Sequence, residues 1–149
     1  SEDREGFFWS ITMTKKVTRE LVPETLRSEH VGDLFGIHFP LQLEPFIYTV
    51  TGQMAPDYKG GYWQFYSLSN GGFYMAPETH RSFQVSCQNF YRGTLSADAL
   101  GIVACLYAFS HLSFTTNEKV GRMYARHYHL LREYMCEHPE VAEILGAID

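Results

Sequence analysis

The stretch GGYWQFYSLSNGGFYMAP, residues 60–77, decides the reading of the fold. As a strand, it sends Tyr62, Gln64 and Tyr66 to one side and Trp63 and Phe65 to the other. Ser69-Asn70-Gly71-Gly72 is a turn signal, because Asn and Gly accept the positive φ angles that tight hairpins demand. Phe73–Ala76 then reads as the return strand, closed by Pro77. Ser82–Cys87 alternates again, with Phe83, Val85 and Cys87 on one side, and Phe90–Leu95 reads as a further strand. The expectation is a small antiparallel meander of three to four strands.

Helices are expected on both sides of it. Residues 15–22, KKVTRELV, alternate as a strand that Pro23 ends. PETLRSEHVGDLFG reads as a short helix or irregular turn closed by Gly36. From Glu44 to Ala55 the apolar residues Phe46, Ile47, Val50 and Met54 fall at helical spacing, and Pro45 suits a first helical turn. After the strands, Ser96 is a candidate N-cap with Asp98 in the first turn, where a carboxylate complements the helix dipole. The helix that follows is apolar most of the way round, which marks a central position. Gly101 inside it is tolerable if another backbone passes close by. A second helix is expected from Asn117 to Glu137, with a stripe of Val120, Met123, Tyr124, His127, Leu131 and Tyr134. PEVAEILG reads as a last short turn. The fold class is therefore α+β: a small antiparallel sheet packed with several helices, the C-terminal part helical. Residues 1–16 read as a polar leader, frayed or disordered, and residues 17–149 as one domain.

Bulk composition narrows the function classes. A hydrophobic fraction of 45% with 19% charged residues is that of an ordered globular chain. No apolar run is long enough to cross a membrane. The net charge of −5, from 17 acids and 12 bases, lacks the basic excess of a dedicated nucleic-acid binder. It is also too dilute for imitation of duplex DNA, which carries one charge per ~1.7 Å of axis. Cys87, Cys105 and Cys136 are odd in number, far apart and free of any CxxC, so they read as reduced packing thiols of a cytoplasmic protein.

Sites for catalysis are sought and not found. The seven histidines include no HExxH and no i, i+4 pair. His127 and His129 project about 200° apart on a helix, so they cannot share an ion. His127 reads as a satisfied buried histidine. There is no G-x-S-x-G elbow and no P-loop, and the Gly60-Gly61 and Gly71-Gly72 doublets lack the helix N-terminus that phosphate cradling needs. No catalytic residue, metal or cofactor is assigned. The aromatic stretch admits two readings. It is either the two faces of a short sheet or a stacking platform for bases, and Lys59, Arg81 and Arg92 supply few cations for the second.

The strings YKGGYWQFYSLSNGGFYMAP, GTLSADALGIVACLYAFSHL, LLREYM and HPEVAEILGAID, together with LVPETLR and DLFG, resemble the KlcA/ArdB antirestriction proteins. The resemblance runs from about Leu21 to Asp149; the leader to about Lys16 is not part of it. It implies an α+β domain with a small antiparallel sheet. It also implies a role carried by plasmids and other mobile elements, evading host defence by protecting incoming DNA from type I restriction–modification in the cytoplasm of a bacterial host. The implied partner is the restriction enzyme or an associated protein, met by protein contact or indirect interference as a monomer or weak dimer. From the missing catalytic motifs, the net charge and the hydropathy, the protein is expected not to be an enzyme, not to bind DNA directly and not to enter a membrane. A nucleic-acid-binding module using the aromatic sheet is the alternative.

The candidate partner contacts are Tyr62, Trp63, Tyr66, Asn70, Asp98 and Asp149. Each also has a structural reading. The three aromatics are core or half-core, Asn70 is a turn residue, and Asp98 helps to cap a helix. The terminal Asp149 either docks or acts.

Overall fold

The computed structural model describes residues 16–149. The leader expected over residues 1–16, and the head of the first expected strand at Lys15, lie outside the described residues except for Lys16.

The first strand, β1 (Arg19–Leu21), is stopped by Pro23, whose following residues make a 3₁₀ turn, Glu24–Leu26. Helix α1 (Arg27–Phe35) ends at Gly36, which takes a φ of +59° that side chains with a β-carbon avoid. A π-helical turn, Phe39–Leu43, runs directly into α2 (Glu44–Met54), with Pro45 in the first turn as the sequence requires. The aromatic stretch forms β2 (Trp63–Leu68) and β3 (Phe73–Pro77). Their hairpin turns at Ser69-Asn70-Gly71. Gly71 carries the positive φ, +92°, and its N–H donates to the Leu68 carbonyl at 2.9 Å. β4 (Ser82–Ser86), β5 (Arg92–Ser96), α3 (Ala97–Leu112), α4 (Glu118–Met135) and α5 (Val141–Ile148) complete the chain.

The strands divide into two sheets rather than continuing as one meander. β1, β2 and β3 pair antiparallel in that order, with Tyr66 opposite both Leu21 and Tyr74; β4 and β5 form a separate hairpin. The physical reason lies at the outer edge of β3. Helix α3 covers it, so β4 has no edge there to pair with. The approach is close because Gly101 has no side chain. A β-carbon there would sit 2.4 Å from both the Ala76 β-carbon and the Met75 carbonyl oxygen. Cys105 Sγ donates to that same carbonyl at 3.6 Å. The condition set for Gly101, a backbone passing close by, is met.

Helix α3 is the centre of the molecule. Its residues from Ala99 to Leu106 are all buried, and it touches α2, α4, α5 and β3. The N-caps are those the sequence marks: Ser96 Oγ accepts the Ala99 N–H and Asn117 Oδ1 accepts the Val120 N–H. One face of the main sheet packs an aromatic core in which Phe65 and Phe73 meet Phe35 and Phe39, largely edge to face. His127 joins this core from α4, 4.5 Å from Phe35 and 5.7 Å from Phe109 by ring centroids.

Three local expectations are corrected. PEVAEILG is not a short turn but most of a two-turn helix, α5, because Ile144 and Ala147 bury completely against the rest of the fold. Phe90 does not begin a strand: it sits in the hairpin turn with φ +71°, and β5 starts at Arg92. His127 is buried but not satisfied, since its Nδ1 finds no hydrogen-bond partner among the described residues.

Candidate functional site

A polar cluster joins four parts of the chain. Asp98, in the first turn of α3, accepts from Arg19 Nη1 at 2.7 Å and from the Tyr74 hydroxyl at 2.8 Å on one oxygen. His138 Nε2 meets the other at 2.8 Å. Glu140 N–H donates to His138 Nδ1 at 3.0 Å, so the ring proton lies on Nε2 and points at the carboxylate. The Glu140 carboxylate in turn accepts from the Ser96 N–H and hydroxyl at the start of α3. His138-Pro139-Glu140 thus grips the residues Ser96 to Asp98. Two segments that look unrelated in the sequence are one device in the fold.

Aromatic rings extend the cluster. Tyr66 stacks on Tyr74 at 5.0 Å, Tyr74 on Tyr134 at 5.6 Å, and the Arg19 guanidinium lies 4.3 Å from the Tyr66 ring. Burial alone would push the Asp98 carboxyl up. Hydrogen bonds from His138 and Tyr74 and the charge of Arg19 outweigh it and hold the carboxyl below its ordinary value. Burial, with the Asp98 charge added to it, pushes the Tyr74 phenol far up, so it remains a donor. The cluster lines a groove of about 520 Å³ to which Arg19, Gln64, Tyr66, Glu78, His80 and Asp98 contribute, the Tyr66 hydroxyl donating to Gln64 Oε1 at 2.6 Å.

This arrangement ties four segments of the chain together. Both imidazole nitrogens of His138 are committed inside the fold and its side chain is nearly buried. General base chemistry needs a nitrogen within reach of a substrate proton. Among the described residues no three His, Cys, Asp or Glu side chains converge as a metal site, and no helix is long and apolar enough to cross a membrane.

Of the six residues singled out from the sequence, the fold brings only Tyr66 and Asp98 together. Asp98 sits in the first turn of α3 behind the Ser96 cap, as the cap-helper reading has it, and its oxygens also bind Arg19, Tyr74 and His138. Tyr62 extends the edge of the hairpin, its carbonyl accepting the Glu78 N–H at 2.8 Å. It precedes β2 and lies 4.7 Å from the Arg27 guanidinium, which also covers Phe65 at 4.4 Å. Trp63 is buried, its indole N–H donating to the Tyr58 hydroxyl at 2.7 Å. Asn70 ties the hairpin turn to α4, accepting the Gly72 N–H and donating to the Leu130 carbonyl at 2.9 Å. Asp149 lies far along the chain from these, with one oxygen 3.5 Å from Arg132 Nη1 on α4 and its side chain more than half exposed.

Arg19, Tyr74 and His138 were not singled out. The sequence carries no spacing that joins positions so far apart; the one local hint is Pro139, which fixes the backbone beside His138.

A family model of antirestriction proteins matches residues 56–149. Over 141 residues the chain is 37% identical to the antirestriction protein KlcA of Escherichia coli, covering 93% of this chain and 99% of that one. It is also 42% identical over 134 residues to the uncharacterised protein YafX of Escherichia coli K12, covering 86% of this chain and 85% of YafX. A solved structure from work on KlcA and ArdB matches at a TM-score of 0.84 and 37% identity, over 91% of this chain and 96% of that chain. KlcA and ArdB are described as showing a novel fold, with antirestriction activity against type I DNA restriction systems in vivo but not in vitro. On the family match, the near-complete KlcA alignment and the shared fold, this chain belongs to the antirestriction protein family.

Proposed function

We propose that this protein shields incoming mobile-element DNA in a bacterial cytoplasm by inhibiting type I restriction–modification. In this reading it acts through contact with the restriction enzyme or a protein that cooperates with it, catalyses nothing and does not imitate DNA. The observation that carries the reading is the behaviour described for KlcA and ArdB, active in vivo but not in vitro. A decoy that only filled the enzyme's DNA channel would need nothing else from the cell. A requirement for the cell points to a further component or an indirect route.

The charge supports the same mechanism. A net −5 over 149 residues is far below the density of a duplex. The most heavily engaged carboxylate, Asp98, spends its charge on Arg19 and His138 inside the fold. The alternative, bases stacking on the aromatic sheet, is disfavoured by packing. Trp63, Phe65 and Tyr74 are buried, Tyr66 is packed against Tyr74 and Arg19, and Tyr62 lies under Arg27. Trp63 and Asn70 then belong to the scaffold; Tyr62 and Asp149 keep exposed side chains for a partner, and Tyr66 is half-buried. The working unit is a monomer or weak dimer.

The test is expression in cells carrying a type I system, scored by the plating efficiency of unmodified phage. The expected result is a rise towards the efficiency of modified phage. Restriction at the level of an empty vector would remove the reading. A parallel assay with purified enzyme separates the mechanisms, since a direct DNA mimic would inhibit there too.

A further inference from the structure

Between α2, α3 and the end of β4 lies a cavity of about 280 Å³ that shares no residue with the polar cluster. Its body is apolar: Val50 and Met54 come from α2, Tyr107 from α3 and Cys87 from the second hairpin. Phe46 and His111 form an aromatic wall, their ring centroids 4.9 Å apart and their planes tilted by 36°. The apolar residues are buried or half-buried, whereas Gln53, Gln88 and His111 are exposed and so stand at the mouth. Aromatic faces and soft sulfur atoms on the walls suit a flat π-system. The volume lies just under the ~300–1,000 Å³ of pockets for drug-sized ligands, which limits the occupant to one or two fused rings.

The mouth supplies specificity. Gln53 and Gln88 come from different elements, α2 and the hairpin, and each amide offers a donor beside an acceptor. The other three glutamines of the chain are engaged inside the fold: Gln42 accepts from the Tyr124 hydroxyl, Gln64 accepts from the Tyr66 hydroxyl, and Gln84 donates to Thr94. The two at the cavity make no such bond among the described residues. A free side-chain amide matches the edge of a nitrogen heterocycle, where a ring nitrogen accepts and a neighbouring amino group donates, as glutamine does on adenine.

The lining also selects for a neutral ligand, since none of its side chains is Lys, Arg, Asp or Glu. Charged residues adjoin it in sequence and register but are directed elsewhere. Glu44 accepts from Tyr48 on another side of α2, and Asp57 lies 3.8 Å from Arg81. Arg92 stands opposite Ser86 in the hairpin, where alternation places it on the exposed face with Gln84 and Thr94, and it does not line the cavity. A charge carried into the cavity would lose water and meet no counter-ion; an uncharged ring incurs no such cost.

We propose that this cavity binds an uncharged nitrogen heteroaromatic of about purine size, its ring held against Phe46 and Met54 and its edge read by Gln53 and Gln88. The inference goes beyond the antirestriction reading and does not rest on it: binding is measured on the purified protein without any restriction assay, so either can fail alone. The test is an amide NMR titration with adenine, adenosine, adenosine monophosphate and indole. It is run on the wild type, Gln53→Ala, Gln88→Ala and Val50→Trp, with a thermal melt of each. Adenine and adenosine should shift the amides of α2, α3 and residues 86–88 saturably, with a Kd of about 1 mM or tighter. The two glutamine variants should melt as the wild type does, because their side chains hold nothing in the fold, and should bind adenine about fivefold more weakly while binding indole unchanged. Val50→Trp fills the cavity and abolishes binding of both; should it fail to fold, the glutamine variants decide. Adenosine monophosphate should bind no tighter than adenosine. An absence of saturable shifts with adenine overturns the proposal, as do shifts confined to other elements. A monophosphate bound about tenfold tighter than adenosine would make this an anion site that draws on Arg92, and refutes it. Indole bound as tightly as adenine, with both indifferent to the glutamine changes, would make the cavity a seat for an apolar side chain, and refutes it too.

Discussion

Taking the protein from pH 8 to pH 5 should cost the fold about 2 kcal/mol through a single side chain, His127. The ring is 5% exposed, packed on Phe35 and Phe109, with Nδ1 unpartnered among the described residues. Burial is the main cause that lowers its pKa, with the neighbouring Arg126 charge adding to it, and the result is about 4 in place of 6.5. The sign follows from proton counting. Between those two values the unfolded chain binds a proton that the folded protein refuses, so stability falls as pH falls through that window. The full loss below pH 4 approaches about 3 kcal/mol, from 1.36 kcal/mol per pKa unit. Against a total stability of roughly 5–15 kcal/mol this is a large share.

The assay is urea unfolding at pH 8, 6.5 and 5 for the wild type and for His127→Phe, which keeps a ring against Phe35 and Phe109 but cannot titrate. The other histidines and the carboxylates contribute equally to both proteins, so the difference between the two pH profiles isolates His127. It should be flat above pH 7 and open by about 2 kcal/mol at pH 5. Parallel profiles would refute the reasoning. So would a His127 C2–H resonance that titrates near 6.5 in the folded protein.

Two further perturbations probe the fold. Gly101→Ala forces a β-carbon into the Ala76 and Met75 backbone and should cost about 2–3 kcal/mol in urea unfolding, although Ala is the better helix former; a stability equal to wild type would mean that α3 does not seal the β3 edge this closely. Asp98→Asn strands Arg19 and leaves the tie between α3 and the His138 segment weakened, costing about 1–3 kcal/mol at pH 7. Because the Asp98 carboxyl is held below its ordinary value, its stabilisation is present above about pH 4 and disappears as pH falls through the lowered value, so the variant should lose less on acidification than the wild type.

Much of this protein was legible along the chain because the signals are local. Pro23, Gly36, Ser96 and Asn117 act on the turn of backbone they occupy, and each starts or stops an element where the sequence places it, whereas the helical run that holds Pro45 begins earlier, at Phe39. Alternation in β2 and the Asn70-Gly71 turn are equally local, and the hairpin follows from them. The apolar circumference of α3 announced a central helix, and Gly101 announced a close neighbour without saying which.

Contacts between distant segments were the part that only folding decided. The single sheet became two because α3, not β4, occupies the outer edge of β3; that competition is between elements, and no periodicity encodes it. Asp98 looked like a helix-dipole helper because nothing near it in sequence reveals Arg19, Tyr74 or His138. Phe90 looked like the head of a strand because an aromatic residue favours one, and the positive φ was imposed on it by the ties among Cys87, Asn89, Tyr91 and Gly146. Backbone preference acts over a few residues and can be read from them. The energy of burying a ring, satisfying a carboxylate or crowding a helix onto a strand depends on partners that the chain brings together only when it closes.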